Sequence, residues 1–174
     1  MQRCSKESVP SLRVRRASGD DVFRIMDLER ESATAVHWSR QQYEGMLGTS
    51  DPQSAERVIL VAGDETAEVE PEIFGFLVVR RVDAEWELEN IVVANGMRRR
   101  GTGMLLLTEL ITQARAAGGC AIFLEVRESN QGARAFYRKM GFEEAGARSR
   151  YYAAPAENAV LYRLGLSLSS PRDS

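Results

Sequence analysis

The run Arg98-Arg99-Arg100-Gly101-Thr102-Gly103 joins three cations to two glycines one residue apart. Guanidinium groups attract an anion, and glycines let main-chain amides approach it closely. Where such a turn opens a helix, free N–H groups and the positive end of the helix dipole strengthen the attraction, so phosphate is the natural ligand. The order is neither the G-x-x-x-x-G-K-[ST] of a nucleoside-triphosphate loop nor the G-x-G-x-x-G of a dinucleotide fold, which implies a different phosphate compound. Taken alone, the six residues also suit a solvated basic turn.

Acid–base chemistry has its best candidate in Glu125, inside the apolar run Ala121 to Val126. Burying a carboxylate without a fixed cation raises its pKa toward the range useful to a general base. The alternative is a structural salt bridge with Arg127 or another cation. His37 is the one histidine, which excludes multi-His metal sites and leaves a Ser-His or Cys-His mechanism hanging on a single residue. Cys4 and Cys120 are the only cysteines and lie far apart, so neither a disulfide framework nor a thiolate metal site is expected. A reducing, cytoplasmic setting fits, and Cys120, leading a buried strand, reads as a small core residue.

The elements that must hold these residues follow from periodicity. Arg13 to Arg16 alternates as a short edge strand, and Val22, Ile25, Met26 and Leu28 have helical spacing. Val58 to Ala62 and Ile73 to Arg80 are strands on either side of an acidic loop, Gly63 to Glu72. In the next strand Glu85, Glu87 and Glu89 alternate with Ala84, Trp86 and Leu88, acids on one face and apolar groups on the other. Such acids are ordinarily a solvated face, with an acidic lip for a cationic peptide as the alternative. The alternation breaks at Ile91-Val92-Val93, which marks either full burial or a bulge that re-aims backbone groups. A helix with Leu105, Leu106, Leu110, Ile111 and Ala114 follows the basic turn and stops at Gly118-Gly119. After the buried strand, Asn130 to Met140 makes a helix ended by Gly141, and Phe142 to Leu164 supplies two closing strands.

With the elements in place, Asn90 to Phe142 resembles the GNAT acetyltransferase family, whose [QR]-x-x-G-x-[GA] segment cradles the pyrophosphate of coenzyme A and here corresponds to Arg98 to Gly103. Leu124-Glu125-Val126-Arg127-Glu128-Ser129-Asn130, Ala135-Phe136-Tyr137 and Gly141-Phe142 are similar to the RimI-type ribosomal-protein-alanine N-acetyltransferases. Trp38-Ser39, Tyr151-Tyr152 and Glu157-Asn158-Ala159 extend the similarity over most of Leu12 to Leu166. Two departures bear on the acceptor: that subfamily usually has aspartate where Asn158 stands, and the segment between Tyr152 and Glu157 is short.

The resemblance implies an α/β fold, a GNAT-like twisted, mixed, mainly antiparallel sheet flanked by helices on both faces. It implies Glu125 as general base and Tyr137 as general acid, with core packing as the other reading of the tyrosine. Tyr137 lies seven residues past Asn130, two turns along on roughly the same helix face. Acetyl-CoA is the implied co-substrate, held by Arg98, Arg99, Arg100, Gly101, Thr102, Gly103 and Met104, by Ile91, Val92 and Val93, and by Asn130. Asn130 could bond the pantetheine, cap the helix, or both. The amides of Ile91 and Val93 could form an oxyanion-type donor set. Trp38, Tyr151 and Tyr152 could wall an acceptor channel or simply pack.

The 174 residues suit one domain, 12–166, between flexible termini 1–11 and 167–174. A net charge of −2 argues against direct nucleic-acid binding, and the lack of an apolar stretch of signal or membrane length predicts a soluble protein that neither crosses nor docks on a membrane. The expectation is transfer of acetyl from acetyl-CoA to the N-terminal α-amine, alanine for preference, of a ribosomal protein, without metal. The rivals are a GNAT enzyme acting on a small amine or a lysine side chain, and a non-catalytic acyl-CoA-binding module.

Overall fold

Runs of β-branched and aliphatic residues build a sheet whose two faces are both covered, because its central strands are apolar on alternate positions and on both sides. The computed structural model describes residues 12–32, 35–48, 56–64, 72–153 and 155–166. The termini expected to be flexible lie outside the described residues, as does most of the acidic loop, 65–71. Among the described residues the strands are β1 (Leu12–Arg16), β2 (Glu56–Asp64), β3 (Glu72–Val82), β4 (Glu85–Val93), β5 (Ala121–Arg127), β6 (Glu143–Ala153) and β7 (Ala156–Gly165). The α-helices are α1 (Val22–Arg30), α2 (Arg40–Gly48), α3 (Thr102–Ala116) and α4 (Gln131–Lys139).

The sheet runs β1-β2-β3-β4-β5-β7-β6, antiparallel at every pairing except β4 with β5. The α/β, mainly antiparallel architecture with helices on both faces is therefore as expected. On one face α3 and α4 bury Leu106, Leu107, Leu110 and Tyr137 against Leu60, Leu77, Leu88, Leu124 and Tyr162. On the other, α1 and α2 bury Val22, Ile25, Leu28 and Tyr43 against Ile59, Phe76, Val78 and Val92. Each fully buried leucine of α3 adds about 1.5–3 kcal/mol of apolar transfer. Gly118, at φ +73°, takes the left-handed conformation that ends this helix, and Gly119 follows where a Cβ would lie 2.8 Å from the Ala114 carbonyl oxygen and 2.9 Å from Trp86 Nε1.

Two features depart from the sequence reading. Helix α2 was not anticipated: its Arg-Gln-Gln-Tyr-Glu-Gly-Met-Leu-Gly run commits a single side chain, Tyr43, to full burial, so it carries almost no periodic signal. Cys120 is exposed rather than a core residue, because it precedes the first sheet-facing position of β5; only its main chain is engaged, with Ala84 and Leu166.

The edge strand β6 is exposed along nearly its whole length and is tied down by charge instead of apolar burial. Glu144 accepts hydrogen bonds from Tyr162, Arg138 and Arg134, which together hold its carboxyl down at about 2. Glu87 and Glu89 are paired with Arg80 and Arg57, so two of the three acids of β4 form cross-strand ion pairs, and Glu85 is exposed.

Candidate active site

The site begins where two parallel strands part. Pairing of β4 with β5 runs from Glu85 opposite Ala121 to Leu88 opposite Leu124 and stops there, while both strands continue, to Val93 and Arg127. The cause is a bulge. On β3, Val79 faces Leu88 and Val78 faces Asn90, so Glu89 is the extra residue of β4. The sequence reading placed a possible bulge at Ile91-Val92-Val93; it lies two residues earlier.

That insertion decides which amides face the opening. Before it, the Ala84 carbonyl accepts from Cys120 N–H at 2.7 Å, so even-numbered residues of β4 point their main chain toward β5. After it, Ala94 N–H donates to the Phe74 carbonyl at 2.7 Å, so Val92 and Asn90 point toward β3. Ile91 and Val93 consequently direct their N–H groups into the cleft, as the expected donor set requires. Val92, expected beside them, turns its N–H to β3 and buries its side chain in the α1–α2 core. The bulge changes side-chain parity as well, sending Trp86 and Leu88 to the α3 face but Asn90 and Val92 to the other.

The basic turn closes one end of the cleft. Gly101, at φ +92°, caps α3 in a conformation that favours glycine, and a Cβ there would meet nothing within 4 Å. Leu105 N–H to the Gly101 carbonyl, 2.9 Å, is the first bond of the helix, so the amides of Thr102, Gly103 and Met104 precede the intrahelical ladder and are free donors. Arg98, Arg99 and Arg100 are exposed around them, and Thr102 is buried, its hydroxyl donating to the Met97 carbonyl at 3.4 Å. Open space, unpaired amides at a helix N-terminus and three cations fit a diphosphate such as that of coenzyme A. Asn130 caps α4 by accepting from Ala133 N–H at 3.1 Å, which establishes the capping half of its expected role.

The two acid–base candidates come to the fork from opposite faces of the sheet. Leu124 and Val126 pack under α3 and α4, so Glu125 between them projects from the face that carries α1 and α2. Tyr137 approaches from the α4 side, 6% exposed, its ring against Phe136, Phe142 and Tyr162. Burial pushes its phenol well above the ordinary value, so the proton stays on oxygen. Glu125 does have a cation beside it: Arg148 Nε stands 3.0 Å away, on a side chain that is 56% exposed. The sequence alternative was a salt bridge with Arg127 or another cation; the cation is Arg148, which meets Glu125 across β7, where Arg127 and Arg148 share Ala159 as partner.

Aromatic groups surround this carboxylate. Tyr151 hydrogen-bonds to Glu125, the main cause of its raised phenol pKa, and stacks edge-on with Tyr152 at 5.2 Å. Arg127 lies 4.0 Å over the Tyr152 ring. Asn158 holds the distorted part of β6 in place, accepting from Arg150 N–H at 3.0 Å while donating to Glu128 at 3.1 Å. An aspartate at that position would set two carboxylates against each other, which accounts for the amide here. Trp38 belongs to the packing of α1 and α2, edge-on to Tyr43 at 5.7 Å. Sequence reasoning also overlooked Glu29, a buried carboxylate bonded to Tyr43 and Asn90; its signal was present, since Glu29 falls seven residues after Val22 on the apolar stripe of α1.

Residues 22–142 match the model of the acetyltransferase (GNAT) family. A [ribosomal protein bS18]-alanine N-acetyltransferase of Haemophilus influenzae is 35% identical over 144 residues, covering 81% of this chain and 90% of the relative. A protein of Mycobacterium leprae is 47% identical over 79 residues, 45% of this chain, and the match spans 21% of that longer protein. The crystal structure of the ribosomal-protein-S18-alanine N-acetyltransferase from Escherichia coli superposes with a TM-score of 0.74 over 94% of this chain and 99% of that one, at 24% identity, a likeness of fold.

Proposed function

The chain belongs to the GNAT acetyltransferase family, and from that membership we propose that it moves acetyl from acetyl-CoA to the N-terminal α-amine, alanine for preference, of a ribosomal protein. The carrying observation is the fork past Leu88 and Leu124, with the basic turn and open helix N-terminus of α3 at one end and Glu125 facing the opposite side of the sheet. A cofactor and an acceptor can then enter from different faces and meet between the strands. The name of the Haemophilus relative, a [ribosomal protein bS18]-alanine N-acetyltransferase, supports the choice of acceptor. The same reading places the protein in the cytoplasm, with no nucleic acid or metal in its reaction. No helix among the described residues is long and apolar enough to cross a membrane.

The diphosphate of the co-substrate lies on the amides of Thr102, Gly103 and Met104 and on Arg98, Arg99 and Arg100, and its pantetheine arm runs along β4 past Asn130. Ile91 and Val93 N–H groups polarise the carbonyls that lie along the cleft. The amine nitrogen attacks the thioester carbonyl, the new C–N bond forms and the C–S bond breaks. Glu125, directly or through a water, takes the proton the amine loses, and the Tyr137 hydroxyl supplies a proton or a hydrogen bond to the departing thiolate. An α-amine, with a pKa of about 7.7–8.0, is about a tenth neutral near pH 7, whereas lysine at about 10.4 is almost wholly charged, so a modest carboxylate base suits the former.

Thiol release from acetyl-CoA, measured with a peptide bearing a free N-terminal alanine and with an N-blocked peptide bearing an internal lysine, separates the readings. Release with the alanine peptide alone is expected. Release with the lysine peptide alone would move the assignment to side-chain acetylation, and binding of acetyl-CoA without release on any amine would mark a non-catalytic module.

A further inference from the structure

Glu29 is the one acidic side chain in the α1–α2 core among the described residues that is almost completely buried, 2% exposed, and nothing in the acetyl-transfer chemistry uses it. Among the described residues no cation is in hydrogen-bond contact with it, and His37 acts on it only through space. Instead three donors converge on it: the Tyr43 hydroxyl from α2, Asn90 Nδ2 from β4 at 3.2 Å, and Trp38 N–H at 3.4 Å. Asn90 reaches further, donating also to the Val36 carbonyl at 3.0 Å. One buried carboxylate thereby joins α1, α2, the 35–39 segment and the strand that bulges.

Position gives this network its consequence. Asn90 follows the bulged Glu89 directly and precedes Ile91, whose amide opens into the cleft. Asn90 also projects from the same sheet face as Glu125, on the other of the two strands that part. The 35–39 segment is thus pinned, through main-chain atoms of Val36 and Trp38, to the rim of the cleft on the side where Glu125 lies. Ala35 and Trp38 pack against the α1–α2 core, while Val36 is 46% exposed and is held by its main-chain carbonyl. Burial raises the Glu29 carboxyl and the Tyr43 phenol alike, which keeps the tyrosine proton available as a donor.

We propose that Glu29 is a positioning residue that fixes the 35–39 segment against the bulged strand and so sets the width of the acceptor entrance. This rests on the reading of the Glu125 face as the acceptor side. A glutamine cannot replace the carboxylate, because its amide would turn a donor toward at least one of three donors. The phosphate turn, on α3 across the sheet, is untouched by the change.

The test measures wild type, Glu29→Gln and Tyr43→Phe for steady-state peptide acetylation, for acetyl-CoA affinity and for amide hydrogen exchange. In Glu29→Gln the KM for the alanine peptide is expected to rise about tenfold, equivalent to about 1.4 kcal/mol, with acetyl-CoA affinity within twofold of wild type. Exchange at 36–38 should accelerate while that in α3 stays unchanged. Tyr43→Phe, which removes one donor and keeps the ring, should shift the same quantities the same way by less, and it carries the test if Glu29→Gln does not fold. Unchanged exchange at 36–38, faster exchange with an unchanged peptide KM, or an equal loss of acetyl-CoA affinity would each overturn the proposal. Wild type that acetylates no peptide would sink the acceptor reading itself, and would do so before any variant is compared.

Discussion

Glu125→Gln is expected to lower kcat for the alanine peptide by about 10²- to 10⁴-fold, the usual range for loss of a general base, while acetyl-CoA affinity stays near wild type. The substitution keeps shape and removes the proton acceptor. Glu125 lies outside both apolar cores, with Arg148 and Tyr151 as its neighbours, so its loss should cost little stability. Raising the pH should recover part of the rate, because a larger share of the α-amine is then neutral without help. A variant with wild-type kcat would reduce Glu125 to a surface ion-pair partner of Arg148. Arg148 is exposed and meets the carboxylate through Nε, so an incoming ammonium can replace it at modest cost.

Tyr137→Phe should lower kcat by about a hundredfold and leave both KM values within a few-fold. The ring contacts with Phe136, Phe142 and Tyr162 survive, and only the hydroxyl is lost. Burial disfavours the phenolate, which moves the titration upward, so the wild-type proton is present throughout pH 6 to about 10 and the deficit of the variant should be constant across that window. Full transfer from such a phenol to a thiolate of pKa about 8.5 is uphill, so much of the effect is a hydrogen bond to the developing charge. Rates measured for both proteins from pH 6 to 10 check this. A deficit that disappears toward pH 6 would point to a different acid.

The inner strands were legible because they alternate or run apolar over at least five residues and are punctuated by glycine or polar turns, whereas the exposed edge strand β6 carries no such pattern. The basic turn was legible because its cations and glycines are contiguous, and its neighbours announce a strand before it and a helix after it. Helix α2 was not, since it fully buries one side chain, Tyr43, and half-buries Met46 and Leu47 among polar residues, so tertiary packing defines it. The bulge was anticipated in kind but not in place: Glu89 continues the acidic alternation, and only pairing with β3 reveals it as the extra residue. Arg148 opposite Glu125 depends on β7 lying between β5 and β6, an order that no local pattern encodes. Glu29 was within reach, as a charged residue on an apolar helical stripe is a conflict that burial with donors resolves.

The central claim, acetyl transfer to a protein N-terminus across a fork in the sheet, is tested most directly by mapping the product. Purified enzyme is incubated with acetyl-CoA and ribosomal protein bS18 carrying a free N-terminal alanine, and the acetylated residue is located by peptide mass spectrometry. The account predicts a single acetyl group on the N-terminal nitrogen, absent when Glu125→Gln replaces the wild type. Acetyl groups on lysine side chains with the N-terminus left free, or equal N-terminal labelling by the variant, would contradict it.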